Sequence, residues 1–236
     1  MTLVLVEVAR NINIVMEEKN KKWKNLAQYI EQTVLKPNTI LEDVERVCQE
    51  AVSHNFPVVI IPPFFVAQAR AFLIKSDVRI GTVIGFPLGY NLPEVKILET
   101  ELAIEEGADD IDMVVNIAAV KSKDWESVNK EVKSIVQICH QSGKIFKLIF
   151  ETCLLDDEEI EKLCSICNDL GVDYAKTSTG FSTAGADVET ISKMRSWLIP
   201  TIKIKASGGI KDKNLLQNLI QAGADRIGTS MGTKII

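Results

Sequence analysis

Asp173-Tyr174-Ala175-Lys176-Thr177-Ser178-Thr179-Gly180-Phe181 reads as a short strand that ends in a lysine and opens into a hydroxyl-rich loop with a glycine. A lysine shielded from water at a strand end is held less firmly as ammonium, because desolvation disfavours the charge. A neutral amine of that kind can attack a carbonyl. The hydroxyls and glycine beyond it suit a small anion such as a phosphate. The same nine residues also fit a surface lysine at a strand end, so the surrounding chain has to decide.

Helices flank the stretch on both sides. Residues 156–170 carry helical apolar spacing and stop at Gly171, and residues 187–197 form the next helix. Upstream, strands are expected at 29–35, 58–61, 80–86, 110–116 and 145–151. The helix at 41–53 places Val44, Val47, Cys48, Ala51 and Val52 on one apolar face. A second helix follows Pro62-Pro63 and runs to Phe72. Pro93 begins a third that Gly107 closes, and Asp124 caps a long one ending before Gly143. Downstream come strands at 201–206 and 224–228, with a helix at 214–221 between them. Residues 229–236 leave room for a last turn or two.

Strands that read as continuous apolar runs belong to a parallel sheet covered on both faces. Eight strand–helix units point to an α/β fold closed into a (β/α)8 TIM barrel spanning residues 26–236. An open doubly wound sheet is the alternative architecture. Residues 1–25 are expected to form a separate helical segment, and Glu17-Glu18-Lys19-Asn20-Lys21-Lys22 within it is a solvated charge run.

Bulk properties narrow the function. The 236 residues, 46% hydrophobic and 25% charged, suit one barrel with a large core. A net charge of −5 and a pI near 5.3 argue against nucleic acid or a membrane surface as partner. Glu7 interrupts the apolar run at residues 2–6 and no basic leader precedes it, so no signal peptide is read and the cytoplasm is the expected location. Cys164 and Cys167 lack a second pair or a nearby histidine and read as buried helix residues. His54 and His140 are far apart in sequence. Neither a metal nor a cofactor is expected.

A barrel interior is packed with branched side chains, so charged residues on its strands are the informative exceptions. Asp112 lies on strand four, Lys147 on strand five and Lys176 on strand six. Lys203 and Lys205 share one face of strand seven. Burial is costly for an unpaired charge, so these groups should meet one another. One outcome is an ion network that only fills the barrel. The other is a reactive Lys176, its pKa depressed by the nearby charge of Lys205, with Asp112 relaying protons. Two further segments read as anion cradles, Ala206-Ser207-Gly208-Gly209-Ile210 and Gly228-Thr229-Ser230-Met231-Gly232. They follow strands seven and eight, where barrels frequently bind phosphate.

Taken together, Gly85-Phe86-Pro87-Leu88-Gly89, residues 107–114, residues 176–181, residues 205–210 and Arg226-Ile227-Gly228-Thr229-Ser230 resemble the deoxyribose-phosphate aldolase family. The resemblance covers residues 26–230 and implies a class I aldolase. It implies that Lys176 forms a Schiff base with acetaldehyde while Asp112 and Lys205 shuttle protons. It places the substrate on Thr33, Lys147, Thr179, Gly180, Gly208, Gly209, Gly228 and Ser230, with no metal. The implied reaction is reversible cleavage of 2-deoxy-D-ribose 5-phosphate to glyceraldehyde 3-phosphate and acetaldehyde, within deoxyribonucleotide catabolism, by a homo-oligomer (dimer or tetramer). The chain departs from the family in strands one and two. Glu31-Gln32-Thr33 stands where the family reads Asp-His-Thr, and Ile60 and Pro62 replace a cysteine and an asparagine. Another phosphorylated sugar, or a non-catalytic sugar-phosphate-binding barrel, are the competing readings.

Overall fold

The computed structural model describes residues 25–236, so the helical segment expected over 1–25 lies outside the described residues except for Asn25. Eight strands close in sequence order into a parallel barrel: β1 (Ile30–Thr33), β2 (Val58–Ile61), β3 (Arg79–Ile84), β4 (Asp110–Val114), β5 (Ile145–Ile149), β6 (Tyr174–Lys176), β7 (Lys203–Ser207) and β8 (Arg226–Thr229). The seam is made by β1 and β8, where Glu31 lies opposite Gly228. The helices are α1 (Leu41–His54), α2 (Val66–Phe72), α3 (Pro93–Glu105), α4 (Ile117–Lys121), α5 (Trp125–Gln141), α6 (Asp157–Leu170), α7 (Val188–Trp197), α8 (Lys213–Ala222) and α9 (Gly232–Ile235).

Side chains alternate along each strand, so every strand divides its residues between the helical shell and the barrel lumen. The outward set, including Val59, Ile61, Ile111, Met113, Phe146, Leu148, Ala175, Ile204 and Ile227, joins the helices in one large buried cluster. The inward set divides by chemistry. Val58, Ile60 and Val83 make a small apolar cluster on the β2–β3 side, while Glu31, Asp110, Asp112, Lys147, Lys176 and Lys205 fill the rest with charge. This is why β2 reads as unbroken apolar sequence whereas β4 to β7 are interrupted.

The helix boundaries follow their caps. Asp124, Asp156, Asp187 and Asp212 each accept a hydrogen bond from a backbone N–H of the first helical turn, removing orphaned donors. Gly171 closes α6 in the left-handed conformation. Several expectations need correction. Strand four stops at Val114, and the chain turns at once into α4, with the Asn116 side chain accepting from the Ala119 N–H at 3.1 Å. Strand five stops at Ile149 because Glu151 turns left-handed. The segment after Pro62 begins as a 3-10 turn before α2. Val52 is exposed rather than part of the apolar face of α1. Cys164 and Cys167 are buried on α6, and burial pushes the Cys164 thiol up to about 12.

Candidate active site

Parallel pairing stacks the charged strand residues at two adjacent levels. Asp112 faces Lys147 across β4–β5, and Lys176 faces Lys205 across β6–β7. All four point into the lumen, and their heads meet on one carboxylate. Lys176 Nζ donates to Asp112 Oδ2 at 2.8 Å, and Lys205 Nζ donates to the same oxygen at 2.7 Å. Lys147 Nζ donates to Asp112 Oδ1 at 3.0 Å. Below this carboxylate Lys147 also bonds Asp110 Oδ2 at 2.5 Å and lies 3.7 Å from Glu31 Oε2. Lys205 donates to Glu31 from the other side. Arg79 Nε closes the lower end at 3.2 Å from Asp110 Oδ1.

Burial and neighbours set the protonation states. Desolvation, with the ammonium of Lys205 adding to it, brings Lys176 down to about 8 despite the opposing pull of Asp112. The expectation that Lys205 depresses Lys176 therefore has the right sign, but burial is the larger cause. Burial alone would raise the Asp112 carboxyl, yet Lys147, Lys176 and Lys205 hold it well below the ordinary carboxylate range. Burial works against the Lys147 ammonium too, and Asp110, Asp112 and Glu31 overcome it and raise its pKa. Glu31 is pulled down by Lys147 and Lys205 against its burial. Desolvation prevails at Asp110, whose pKa is raised.

Lys176, only 3% exposed, is the member of this group that reaches a cleft of about 770 Å³ at the carboxyl ends of the strands. Thr33, Thr179, Gly180, Ser207, Gly208, Gly209, Gly228 and Ser230 line it, with Lys36, Arg46 and Lys211 farther out. Gly180 and Gly208 both have φ +87°, a conformation that favours glycine. Their backbones nearly touch, since a Cβ on Gly208 would lie 3.4 Å from Gly180 Cα and 2.9 Å from Gly185 Cα. Among the described residues, the N–H groups of Gly180, Gly208, Gly209 and Ser230 donate no hydrogen bond. Free N–H groups converging on a concave wall are what a phosphate oxygen needs. A neutral amine beneath them can attack a carbonyl, and an ionised carboxylate at 2.8 Å can take up or return its proton.

Most residues anticipated from sequence therefore converge. Asp112 and Lys205 lie directly beneath Lys176, and Thr33, Thr179, Ser230 and the four glycines stand on the cleft wall. Lys147 does not line the cleft; it is fully buried one level lower, where it orients Asp112. Lys203 does not join the network either. It opens β7 two residues before Lys205, so the shared face brings it to the opposite mouth of the barrel, 5.4 Å over the Tyr174 ring. Asp110 is a network member that sequence reasoning did not place, although it is a carboxylate on a strand; Glu31, the carboxylate standing in strand one where the family has aspartate, joins the network through Lys147 and Lys205. Of the departures from the family pattern, Ile60 packs into the small lumenal cluster and Pro62 begins the 3-10 turn after β2.

Fold and site together define a (β/α)8-barrel enzyme whose cleft opens at the carboxyl ends of its strands. Residues 20–236 match the family model described as DeoC/LacD family aldolase. The chain belongs to that family: it is an aldolase, a carbon–carbon lyase. It is 44% identical over 215 residues to the deoxyribose-phosphate aldolase of Thermococcus kodakarensis, covering 90% of this chain and 96% of that one. It is 45% identical over 227 residues to the enzyme of the same name from Bacteroides thetaiotaomicron, covering 96% and 94%. Among solved structures, a deoxyribose phosphate aldolase from Aeropyrum pernix, described as having a unique tetrameric structure, superposes with a TM-score of 0.84 at 34% identity, over 89% of this chain and 88% of that one.

Proposed function

We propose that this aldolase reversibly cleaves 2-deoxy-D-ribose 5-phosphate to D-glyceraldehyde 3-phosphate and acetaldehyde through a Schiff base on Lys176. The observation that carries the proposal is one lysine, brought down to about 8 by burial, bonded to Asp112 at 2.8 Å and reaching the cleft. The names of the relatives agree with this substrate.

In the cleavage direction the Lys176 amine adds to the C1 aldehyde of the open-chain sugar. The carbinolamine loses water and becomes the imine. Removal of the C3 hydroxyl proton then breaks the C2–C3 bond, whose electron pair flows toward the protonated imine. Glyceraldehyde 3-phosphate leaves, and an enamine remains on Lys176. Protonation at C2 and hydrolysis release acetaldehyde and restore the amine. Asp112 is held ionised and bonded to both Lys176 and Lys205, so it passes protons between the amine and Lys205. Lys147 serves from below by fixing the other oxygen of Asp112. The phosphate is held by the free N–H groups of Gly180, Gly208, Gly209 and Ser230, with Thr33, Thr179 and Gly228 shaping the wall.

The working form we propose is a cytoplasmic homo-oligomer acting in deoxyribonucleotide catabolism. Leu98 and Leu102 on α3 are 56% and 51% exposed, and Leu92 and Val95 extend the stripe. An apolar face of this kind marks a protein–protein contact. Among the described residues no helix is long and apolar enough to cross a membrane.

The deciding experiment traps the imine. Protein incubated with acetaldehyde and borohydride is digested and mapped by mass spectrometry. An ethyl group on Lys176 is expected; its absence from Lys176 refutes the mechanism. Turnover of 2-deoxyribose 5-phosphate against ribose 5-phosphate then tests the substrate.

A further inference from the structure

Glu151 lies two positions beyond β5 and adopts φ 60°, ψ 58°. Side chains of L-residues seldom enter this left-handed region. Among the described non-glycine residues, Asn55 and Lys123 also have positive φ, and both are exposed. Glu151 is buried, 2% exposed. A buried residue persists in a disfavoured conformation when its surroundings over-determine it. Here the surroundings are the loop after β6. The Glu151 carboxylate accepts the Thr179 N–H at 3.2 Å and also the Thr179 hydroxyl. Thr179 Oγ1 accepts the Phe181 N–H at 3.0 Å. Backbone bonds flank the contact, from Phe150 N–H to the Lys176 carbonyl and from Thr152 N–H to the Thr177 carbonyl, both at 2.9 Å.

The residue left between the two fastened neighbours is Gly180. Its N–H donates to no described residue, and a Cβ there would lie 3.8 Å from Gly208 Cα. We propose that Glu151 is a positioning residue for the phosphate cradle: by holding Thr179 it seats Gly180 against Gly208, with its N–H free to meet the anion. Glu151 does not line the cleft, and its carboxylate, spent on Thr179, acts through that residue alone. The inference rests on the substrate reading above for the identity of the phosphate, but the cradle can be tested without turnover.

Glycine adopts the left-handed conformation freely, so Glu151→Gly removes the carboxylate while leaving the turn intact. Glu151→Gln keeps an acceptor oxygen and removes the charge. Binding of inorganic phosphate to the full-length protein is measured by calorimetry. Steady-state kinetics on 2-deoxyribose 5-phosphate and on unphosphorylated 2-deoxyribose follow. For Glu151→Gly we expect phosphate affinity to fall and KM for the phosphorylated sugar to rise about tenfold, the scale of a lost charge-assisted hydrogen bond. Kinetics on the unphosphorylated sugar and acetaldehyde trapping at Lys176 stay near parental values, and Glu151→Gln restores most of the affinity. An equal loss on both sugars, or unchanged phosphate affinity, overturns the assignment. If the parent binds phosphate but fails to trap acetaldehyde, the aldolase mechanism falls while the role of Glu151 is still decided by the binding series.

Discussion

At the scale of single residues, the proposed reactivity rests on how the lumen treats one amine. Lys176 becomes nucleophilic only when it gives up its proton, and its pKa is brought down to about 8. Acetaldehyde trapping by borohydride should therefore accelerate as pH rises and level off above about 8. Lys205→Leu removes a like charge and leaves Asp112 Oδ2 to Lys176 alone, and both changes favour the ammonium. The midpoint of the profile should move to higher pH and the cleavage rate should fall by about 10²–10⁴, the range typical of a lost acid–base group. An unmoved midpoint contradicts this coupling of Lys205 to Lys176. Lys176→Ala should abolish cleavage outright, with a far-ultraviolet dichroism spectrum like that of the parent. Lys176, Asp112 and Lys205 were legible in the sequence because a charge on an apolar strand stands out. Lys203 satisfied the same rule and still fell at the wrong mouth, because parity fixes the face of a side chain and not its depth. Glu151 was illegible: nothing in Phe150-Glu151-Thr152 encodes a left-handed φ, and its partner Thr179 lies on the loop after the next strand.

At the scale of elements, the shell helices do more than cover the barrel. Lys96 on α3 is fully buried, with its Nζ 2.8 Å from Glu131 Oε1 on α5 and 2.9 Å from the Val114 carbonyl. Glu131 Oε2 accepts the Asn116 N–H at 3.3 Å. The pair thus ties two helices to the end of β4, just beyond Asp112. Gly85, with φ +61°, leaves space for the lysine stem, since a Cβ there would lie 2.7 Å from Lys96 Cε. Burial lowers the pKa of Lys96 and raises that of Glu131, so neither charge is comfortable alone. Lys96→Met should cost about 3–5 kcal/mol in urea denaturation by stranding the carboxylate. The double change Lys96→Met with Glu131→Leu should recover much of that loss, because an apolar pair of similar volume replaces a desolvated ionic one. If the double variant is no more stable than the single, the pair is not what holds these helices. Element positions were readable wherever an aspartate opened a helix or a glycine closed one. The five residues of α4 escaped because so short a helix has no periodicity to detect, although Asn116 was in place to cap it.

At the scale of the whole molecule, the stripe on α3 sets the expected association. Leu98→Glu combined with Leu102→Glu should convert the proposed oligomer to a monomer by light scattering, without moving the residues of the cleft. A parent protein that already runs as a monomer refutes that use of the stripe. The barrel itself was legible from the count of apolar runs, and so was a meeting of Asp112 with strand lysines in the lumen, whereas no local pattern tells that Glu31 crosses to Lys205. That crossing has a consequence for how the chain folds. Glu31 sits on the first strand, and its partners Lys205 and Lys147 sit on the seventh and fifth. A partly assembled sheet without the first strand leaves Lys147, Lys176 and Lys205 to share Asp110 and Asp112 alone, one carboxylate short. Intermediates that stop short of closure are thereby disfavoured, and backbone amides of β1 and β7 should exchange their hydrogens in a single cooperative step.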